Sequence, residues 1–568
     1  MSMFALRPKA RPQARNSGCT SRLSLYVMLG ALAVTPLRAQ GLPGFPSPTD
    51  WPVFGQNAAN SASTTDTTIS ATNVQTLKPK WTFTTGGDVS ARAAIVSGIA
   101  YFPDWGGNIW AVDVKTGKSI WSHQLSDYGL TAGTVSRTSP TVANGIVYIG
   151  TQYTPTGQTG WLLAIDAATG HLWWKMQPDT SNPFPVITGS PTVSFGIVYV
   201  GMTSNEEYAA SSASYVCCSA RGSVVAVDAF FGIKLWQTFT VPVGYSGGNS
   251  WGSSPVVDLL RGMVIVGTGN NYSVPTDPAF VSCIAKPGAT QASCLSPNDH
   301  ADSIVAFNML TGQIIWATRL MTWGQQETEG VTNGTDFWNT SCAAIVAGSS
   351  TKNCPNGVGA AGPDYDFGSD PNEITYQTAK GPKTIIGAGQ KSGIYYGLDP
   401  DTGAELWHTQ VGPGSSLGGM EWGSASDGKR IYVSIADFFG IPYGPSGSIS
   451  AGSWSALDPA TGTILWQVAD PNGAVDLGPL TVANGVLYVP SMGAGYLNLT
   501  GGSTKAPTML ALNAANGATL WQFTAGASVI SGAAIVDGVV YWGAGYGHFG
   551  LPGFSTSKTF YAFSLNGK

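Results

Sequence analysis

Two short patterns of apolar and polar positions alternate along the chain. One is a β-branched run folded back on itself by a tight turn, as in SPTVANGIVYIG, SPTVSFGIVYVG, GPLTVANGVLYVP and SGAAIVDGVVYWG. Asn-Gly or Asp-Gly between two such runs is a strong hairpin signal. The other is a small residue, x, Asp or Asn, three residues, Gly, three residues, Trp. It occurs as AVDVKTGKSIW, AIDAATGHLWW, AVDAFFGIKLW, AFNMLTGQIIW, GLDPDTGAELW, ALDPATGTILW and ALNAANGATLW, ending at Trp121, Trp174, Trp236, Trp316, Trp407, Trp466 and Trp521. Here Asp caps nearby backbone and Gly supplies positive φ, so this too is a strand–turn–strand unit. Together the patterns predict about four short strands per repeat, which is the unit of a propeller blade.

Counting hairpins gives eight, beginning with ARAAIVSGIAYFP at residues 91–103. The last copy, YAFSLNG, stops at Lys568 without its Trp, and the missing half stands near the other end as LKPKWTFTTG around Trp81. The expected fold is all-β: an eight-bladed β-propeller of four-stranded antiparallel blades, its ring closed by N- and C-terminal strands. Closure removes exposed sheet edges. The repeat Trp residues are expected to fill gaps between neighbouring blades, each indole N–H bonded to a carbonyl.

Composition agrees. Of 568 residues 74 are Gly, and only 10% are charged, too few for the wet faces of long amphipathic helices. With 43% hydrophobic residues the chain has apolar surface for a large core, which excludes disorder. Basic residues from Arg7 to Arg22 precede the apolar run Leu23–Val34, and Leu37-Arg38-Ala39 offers a cleavage site. We therefore read residues 1–39 as a signal peptide, 40–76 as an N-terminal extension and 77–568 as the propeller, in a periplasmic or secreted protein. Residues 1–39 hold six basic and no acidic side chains, leaving 21 basic against 32 acidic. Nucleic acid is not an expected partner of such a surface. No further stretch reaches the length of a membrane span, so no stable membrane insertion of the mature chain is expected. Six cysteines remain, and export favours disulfides; sequence order suggests Cys283–Cys294, Cys342–Cys354 and the adjacent pair Cys217–Cys218. No Cys-x-x-Cys-His is present, and the histidines form no zinc-type cluster.

The Ala-x-Asp-x-x-Thr-Gly-x-x-x-Trp repeat resembles that of the quinoprotein alcohol dehydrogenases, particularly their polyvinyl alcohol dehydrogenase branch, here without a cytochrome c domain. The likeness runs from about Trp51 to the C-terminus. Its specific segments include SRTSP (136–140), SNEEY (204–208), CCSARGS (217–223), WGSSP (251–255), TGNNY (268–272), GPDYDFG (362–368), GAGQKSG (387–393) and GGMEWGSA (418–425). The resemblance implies pyrroloquinoline quinone (PQQ) and calcium on the propeller axis. Trp251 would lie beneath the flat cofactor and Cys217 and Cys218 above it. In the methanol- and ethanol-oxidising relatives, however, the vicinal pair precedes an earlier repeat than the third. Lys391 corresponds to the basic residue beside the quinone oxygens, and Arg137, Thr188 and Glu421 fall in matching inner segments. Glu206 and Asn270 match the cation ligands, with Glu207 an adjacent rival; calcium takes about six to eight oxygens. Asp364 aligns with the catalytic base, although Pro363 replaces the usual Trp. Asp336 is its rival, and Asp366 ranks behind both.

The implied reaction is oxidation of a secondary or polymeric alcohol, polyvinyl alcohol-like, with proton removal by a base and hydride transfer to the quinone. Electrons would pass to a separate acceptor, a cytochrome c or a quinone. Two alternatives remain: a non-catalytic propeller scaffold of the outer-membrane assembly type, and a PQQ-dependent sugar dehydrogenase.

Overall fold

The computed structural model describes residues 44–152, 160–210, 212, 215–252, 254–320, 363–369, 371–493, 505–548 and 553–568. Residues 1–39, Asp336, Cys342 and Cys354 lie outside them.

Eight antiparallel sheets follow one another along the chain. Blade 1 comprises Ala94–Val96, Ile99–Pro103, Asn108–Asp113 and Ser119–Gln124. The next six repeat its meander. Blade 8 is completed from both ends of the propeller: Ala534–Val536, Val539–Gly543 and Thr559–Leu565 are followed by Leu77–Thr84, antiparallel to Thr559–Leu565. The expected closure by terminal strands is therefore present.

The register explains the repeat. On the outer strands Trp121, Trp174, Trp236, Trp316, Trp466 and Trp521 stand opposite Ala111, Ala164, Ala226, Ala306, Ala456 and Ala511, while Trp407 faces Gly397. A small residue leaves room for the indole beside it. Trp81 stands opposite Ala562 in the same way, so the seam of the ring carries the same pair as the other blades.

Each indole also reaches the next blade. Trp81, Trp121, Trp174, Trp236, Trp316 and Trp466 donate to the carbonyls of Val114, Ala167, Ala229, Met309, Pro400 and Ala514 at 2.9–3.2 Å, and Trp521 donates to Leu77 across the seam at 3.1 Å. Trp407 is the exception; its indole N–H has no partner among the described residues. The repeat Gly of the next blade, at positive φ, lies directly against the indole: Gly117 on Trp81, Gly232 on Trp174, Gly312 on Trp236. The repeat Asp or Asn caps that turn, as Asp113 does by accepting from the Lys115 and Thr116 amides. The apolar core accordingly lies between blades. One cluster joins Ile265, Ala306 and Trp316 of blade 4 to Ile386, Ala388 and Tyr396 of blade 5.

The N-terminal extension has a role that its sequence did not reveal. Trp51 exchanges two backbone hydrogen bonds with Ile95; Pro52 then accepts from Val142, Ala58 from Val257, Ala59 from Glu373, Ser61 from Ser426 and Ala62 from Val482. These partners lie on the innermost strands of six blades, so the segment crosses the axis and plugs the channel. Buried Arg92 fastens it, donating to the Phe54 and Leu480 carbonyls and to Thr481 Oγ1, with its guanidinium over the Trp51 and Phe54 rings.

If Gly–indole contact holds adjacent blades together, Gly312→Ala should be costly. An added Cβ would lie 2.6 Å from the Trp236 ring at a φ of +72°. We expect a loss of roughly 2 kcal/mol or more, read as a lower unfolding midpoint in denaturant. The same change at Gly196, also at positive φ but with open space around it, should cost less.

Candidate functional site

Two kinds of connection gather on one face of the ring: those from the outer strand of one blade to the inner strand of the next, and those between a blade's second and third strands. Arg137, Thr188, Trp251, Asp364 and Glu421 lie on the first kind; Glu206, Asn270 and Lys391 lie on the second. Residues distant in sequence therefore meet because strands reverse direction in every blade.

Lys391 is the hub. Its ammonium lies 3.0 Å from Asp364 Oδ2, 3.3 Å from Asp366 Oδ2 and 4.9 Å from the centre of the Trp251 ring. Asp366 ties the other parts together: Oδ2 accepts from the Trp251 indole at 2.7 Å, and Oδ1 from the Asn270 amide at 2.6 Å. Thr188 Oγ1 donates to the Trp251 carbonyl at 2.5 Å. Trp251 meets Trp422 edge to face at 5.5 Å, and the Arg137 guanidinium stacks over Trp422 at 3.9 Å while bonding the Tyr546 hydroxyl at 3.2 Å. Trp251, Lys391, Asn270, Asp364, Arg137 and Thr188 thus belong to one connected group. A small cavity lined by Phe54, Ser90, Arg137 and Trp422 separates this group from the plug.

The electrostatics are those of a buried, carboxylate-rich centre. Burial would lower the Lys391 pKa, but Asp364, Asp366 and Glu421 outweigh it and hold the ammonium well above the ordinary lysine value. Burial pushes the Glu421 carboxyl up, opposed by the positive charges of Lys391 and Arg137. The buried Tyr272 phenol is pushed up by burial, then by the charges of Glu207, Asp366 and Asp364. Three carboxylates therefore act on one phenol, with Lys391 as counter-charge to two of them.

Two backbones are strained. Asp364 and Trp422 have φ of +56° and +60°, a region costly for residues with a Cβ and concentrated at functional sites.

The adjacent glutamates have different roles. Glu206, fully buried, accepts from the Tyr215 hydroxyl at 2.7 Å and from the Ser219 and Ala220 amides at 2.6–2.9 Å. Its carboxylate anchors the loop that carries the vicinal cysteines. The charge of Glu207, with those of Asp366 and Asp364, helps to push the Tyr272 phenol up after burial. Cys217 and Cys218 are disulfide-bonded to each other, as are Cys283 and Cys294. The vicinal loop is laid against the site through Gly247, which donates to the Ala220 carbonyl and bridges to Asn271. Sequence reasoning ranked Asp366 third and passed over Trp422, Tyr272 and Tyr546. The first three stand inside the quoted segments, whereas Tyr546 has no signal in the chain.

A family profile described as outer membrane protein assembly factor BamB, and named for PQQ, matches residues 52–214, 134–335 and 450–563. A polyvinylalcohol dehydrogenase from a Pseudomonas species is 28% identical over 566 residues, covering 92% of this chain and 78% of its own length. Another, from Sphingopyxis sp. strain 113P3, is 29% identical over 76% of this chain; the match spans 62% of the relative's length. Among solved structures, a quinohemoprotein alcohol dehydrogenase from Pseudomonas putida superposes with a TM-score of 0.66 at 18% identity, over 93% of this chain and 83% of that one. The chain belongs to the PQQ propeller family, and its likeness over nearly the whole length is to the quinoprotein alcohol dehydrogenases.

Proposed function

We propose that this chain is a periplasmic PQQ- and calcium-dependent dehydrogenase that oxidises secondary or polymeric alcohols of the polyvinyl alcohol kind, passing electrons to a separate acceptor such as a cytochrome c. The observation that carries this reading is the Lys391 ammonium, held between the Trp251 ring and the Asp364 and Asp366 carboxylates on one face of the ring.

The residues suit a flat polyanion and offer oxygen donors beside it. The face of an indole and the guanidinium of Arg137 offer a plate and a counter-charge for a flat polyanion. Glu207, Asp364 and Asp366, whose charges bear together on Tyr272, and Asn270, bonded to Asp366, are the residues from which calcium would draw oxygen ligands, although no three acidic side chains among the described residues are already gathered as a cation cage. Bound PQQ would supply a quinone carbon that accepts hydride. The chain's own residues do the rest. The Asp364 carboxylate accepts the hydroxyl proton of the alcohol. Lys391 neutralises negative charge in a buried setting where water cannot. Trp251, held by Thr188 and Asp366, fixes the plane against which the reacting carbon is oriented, and the plug closes the far end of the channel to water. A scaffold has no use for these buried charges, which are costly to desolvate.

Purified protein should oxidise alcohols in a dye-linked assay only when PQQ and calcium are both added, with secondary alcohols among the substrates; inactivity across an alcohol panel, with no change in the PQQ absorption spectrum, would reject the proposal. Asp364→Asn should lower kcat by about 10²–10⁴-fold while PQQ still binds, as measured by absorption titration. Glu207→Gln should raise the calcium concentration needed for half activation. Glu206→Gln should instead speed amide exchange at Ser219 and Ala220, because a neutral amide accepts their hydrogen bonds more weakly.

A further inference from the structure

On the same face as the central site, the connection between blades 6 and 7 reads Asp-Pro-Asn-Gly-Ala-Val-Asp, from Asp470 to Asp476, and Val475 and Leu477 beside Asp476 pack with Tyr546 and Trp422. It runs from the last strand of blade 6, Ile464–Ala469, toward the first of blade 7, Thr481–Ala483. Both carboxylates are buried, Asp470 at 3% exposure and Asp476 at 1%. Asp470 is held through one oxygen, which accepts from the Asn472 amide at 2.6 Å, with the Ala474 amide and the Ser491 hydroxyl also bonded to its carboxylate. Its Oδ2 and both oxygens of Asp476 have no donor among the described residues. Asp476 faces Asp470 closely enough for a carboxyl–carboxylate bond if one of them carries a proton. No described Lys, Arg or His figures among the groups acting on either carboxylate.

Two ionised carboxylates cannot stay buried side by side uncompensated. A shared proton would join two of the three donorless oxygens and leave the third buried and unpaired. A hard cation can take all three, since calcium binds carboxylates through one or both oxygens. The backbone also comes close. Gly452, whose amide donates to the Ala474 carbonyl, is so near that a Cβ would lie 2.5 Å from Asp476 Oδ2. Asp470 donates its own amide to the Gly452 carbonyl at 2.9 Å. Burial, then the charge of Asp470, pushes the Asp476 carboxyl up, the unfavourable charge that a bound cation would relieve.

We propose that Asp470 and Asp476 hold a divalent cation of the calcium type, a structural site separate from the central one that fastens blade 6 to blade 7. The cation would replace the missing counter-charge, and its removal would leave two carboxylates repelling each other at the joint.

Chelator-stripped full-length protein should be titrated with calcium by calorimetry, and its melting temperature followed with and without the ion. Asp476→Asn should bind one equivalent fewer than the wild type and lose the calcium-dependent rise in melting temperature assignable to this site. Without calcium the variant should melt no lower than stripped wild type, because the repulsion is gone. Unchanged stoichiometry in the variant would overturn the proposal. So would an infrared carbonyl band of a buried protonated carboxyl that persists in calcium and vanishes in Asp476→Asn. Should the variant fail to fold, anomalous scattering from wild-type crystals soaked in terbium decides the matter: a peak between Asp470 and Asp476 supports the site, and a peak only at the central site overturns it.

Discussion

The contact on which the molecule depends is an indole wedged between two sheets. Each blade's outer strand presents a Trp across from a small residue, and seven of the eight indoles donate to a carbonyl beyond the sheet edge. The neighbouring turn lies against the ring with a glycine, because no side chain fits between. This explains how so charge-poor a chain makes a large stable ring: the joints are flat apolar surfaces with one directional bond each, repeated until the ring closes. Closure requires a Trp at the seam, and Trp81 provides it from the strand Leu77–Thr84.

A rigid ring brings residues together without long-range sequence signals. Asn270, Lys391 and Tyr546 come from blades 4, 5 and 8, and Arg137 and Asp366 from the connections between blades 1 and 2 and blades 4 and 5, yet a chain of bonds links them. The plug is the complementary constraint. By bonding to the innermost strands of six blades it ties them together across the ring, and Arg92 holds it there with hydrogen bonds to two carbonyls and a hydroxyl. Buried charge is concentrated in this region, where a flat polyanion and a hard cation would find partners. The Asp470–Asp476 pair belongs to a different joint of the ring and has no such cationic counterpart among the described residues.

Much of the architecture was legible in the chain because each signal was local. The Asp turn, the positive-φ Gly, the small residue facing Trp and the hairpin turns all act within a dozen residues, and seven near-copies reinforced one another. Candidate residues in distinctive inner segments come together in part: Trp251, Lys391, Asn270 and Asp364 meet, whereas Glu206 is bonded to its own loop. The adjacent glutamates were not separable. Spacing cannot tell which of two neighbouring side chains folds back onto its own loop, as Glu206 does, and which acts on Tyr272, as Glu207 does. Asp366 was underrated for a similar reason: its importance comes from touching Trp251, Asn270 and Lys391 at once, and no window of sequence contains those contacts.

The chain by itself therefore determined the repeat, the number of blades, the closure by Trp81 and the chemical types available at the centre, since all of these follow from short-range hydrogen bonding and side-chain size. Tertiary structure alone decided the plug, the hub role of Lys391, the division of labour between Glu206 and Glu207, and the burial of Asp470 beside Asp476. Those depend on which groups are excluded from water together, and that is set only once the ring has closed.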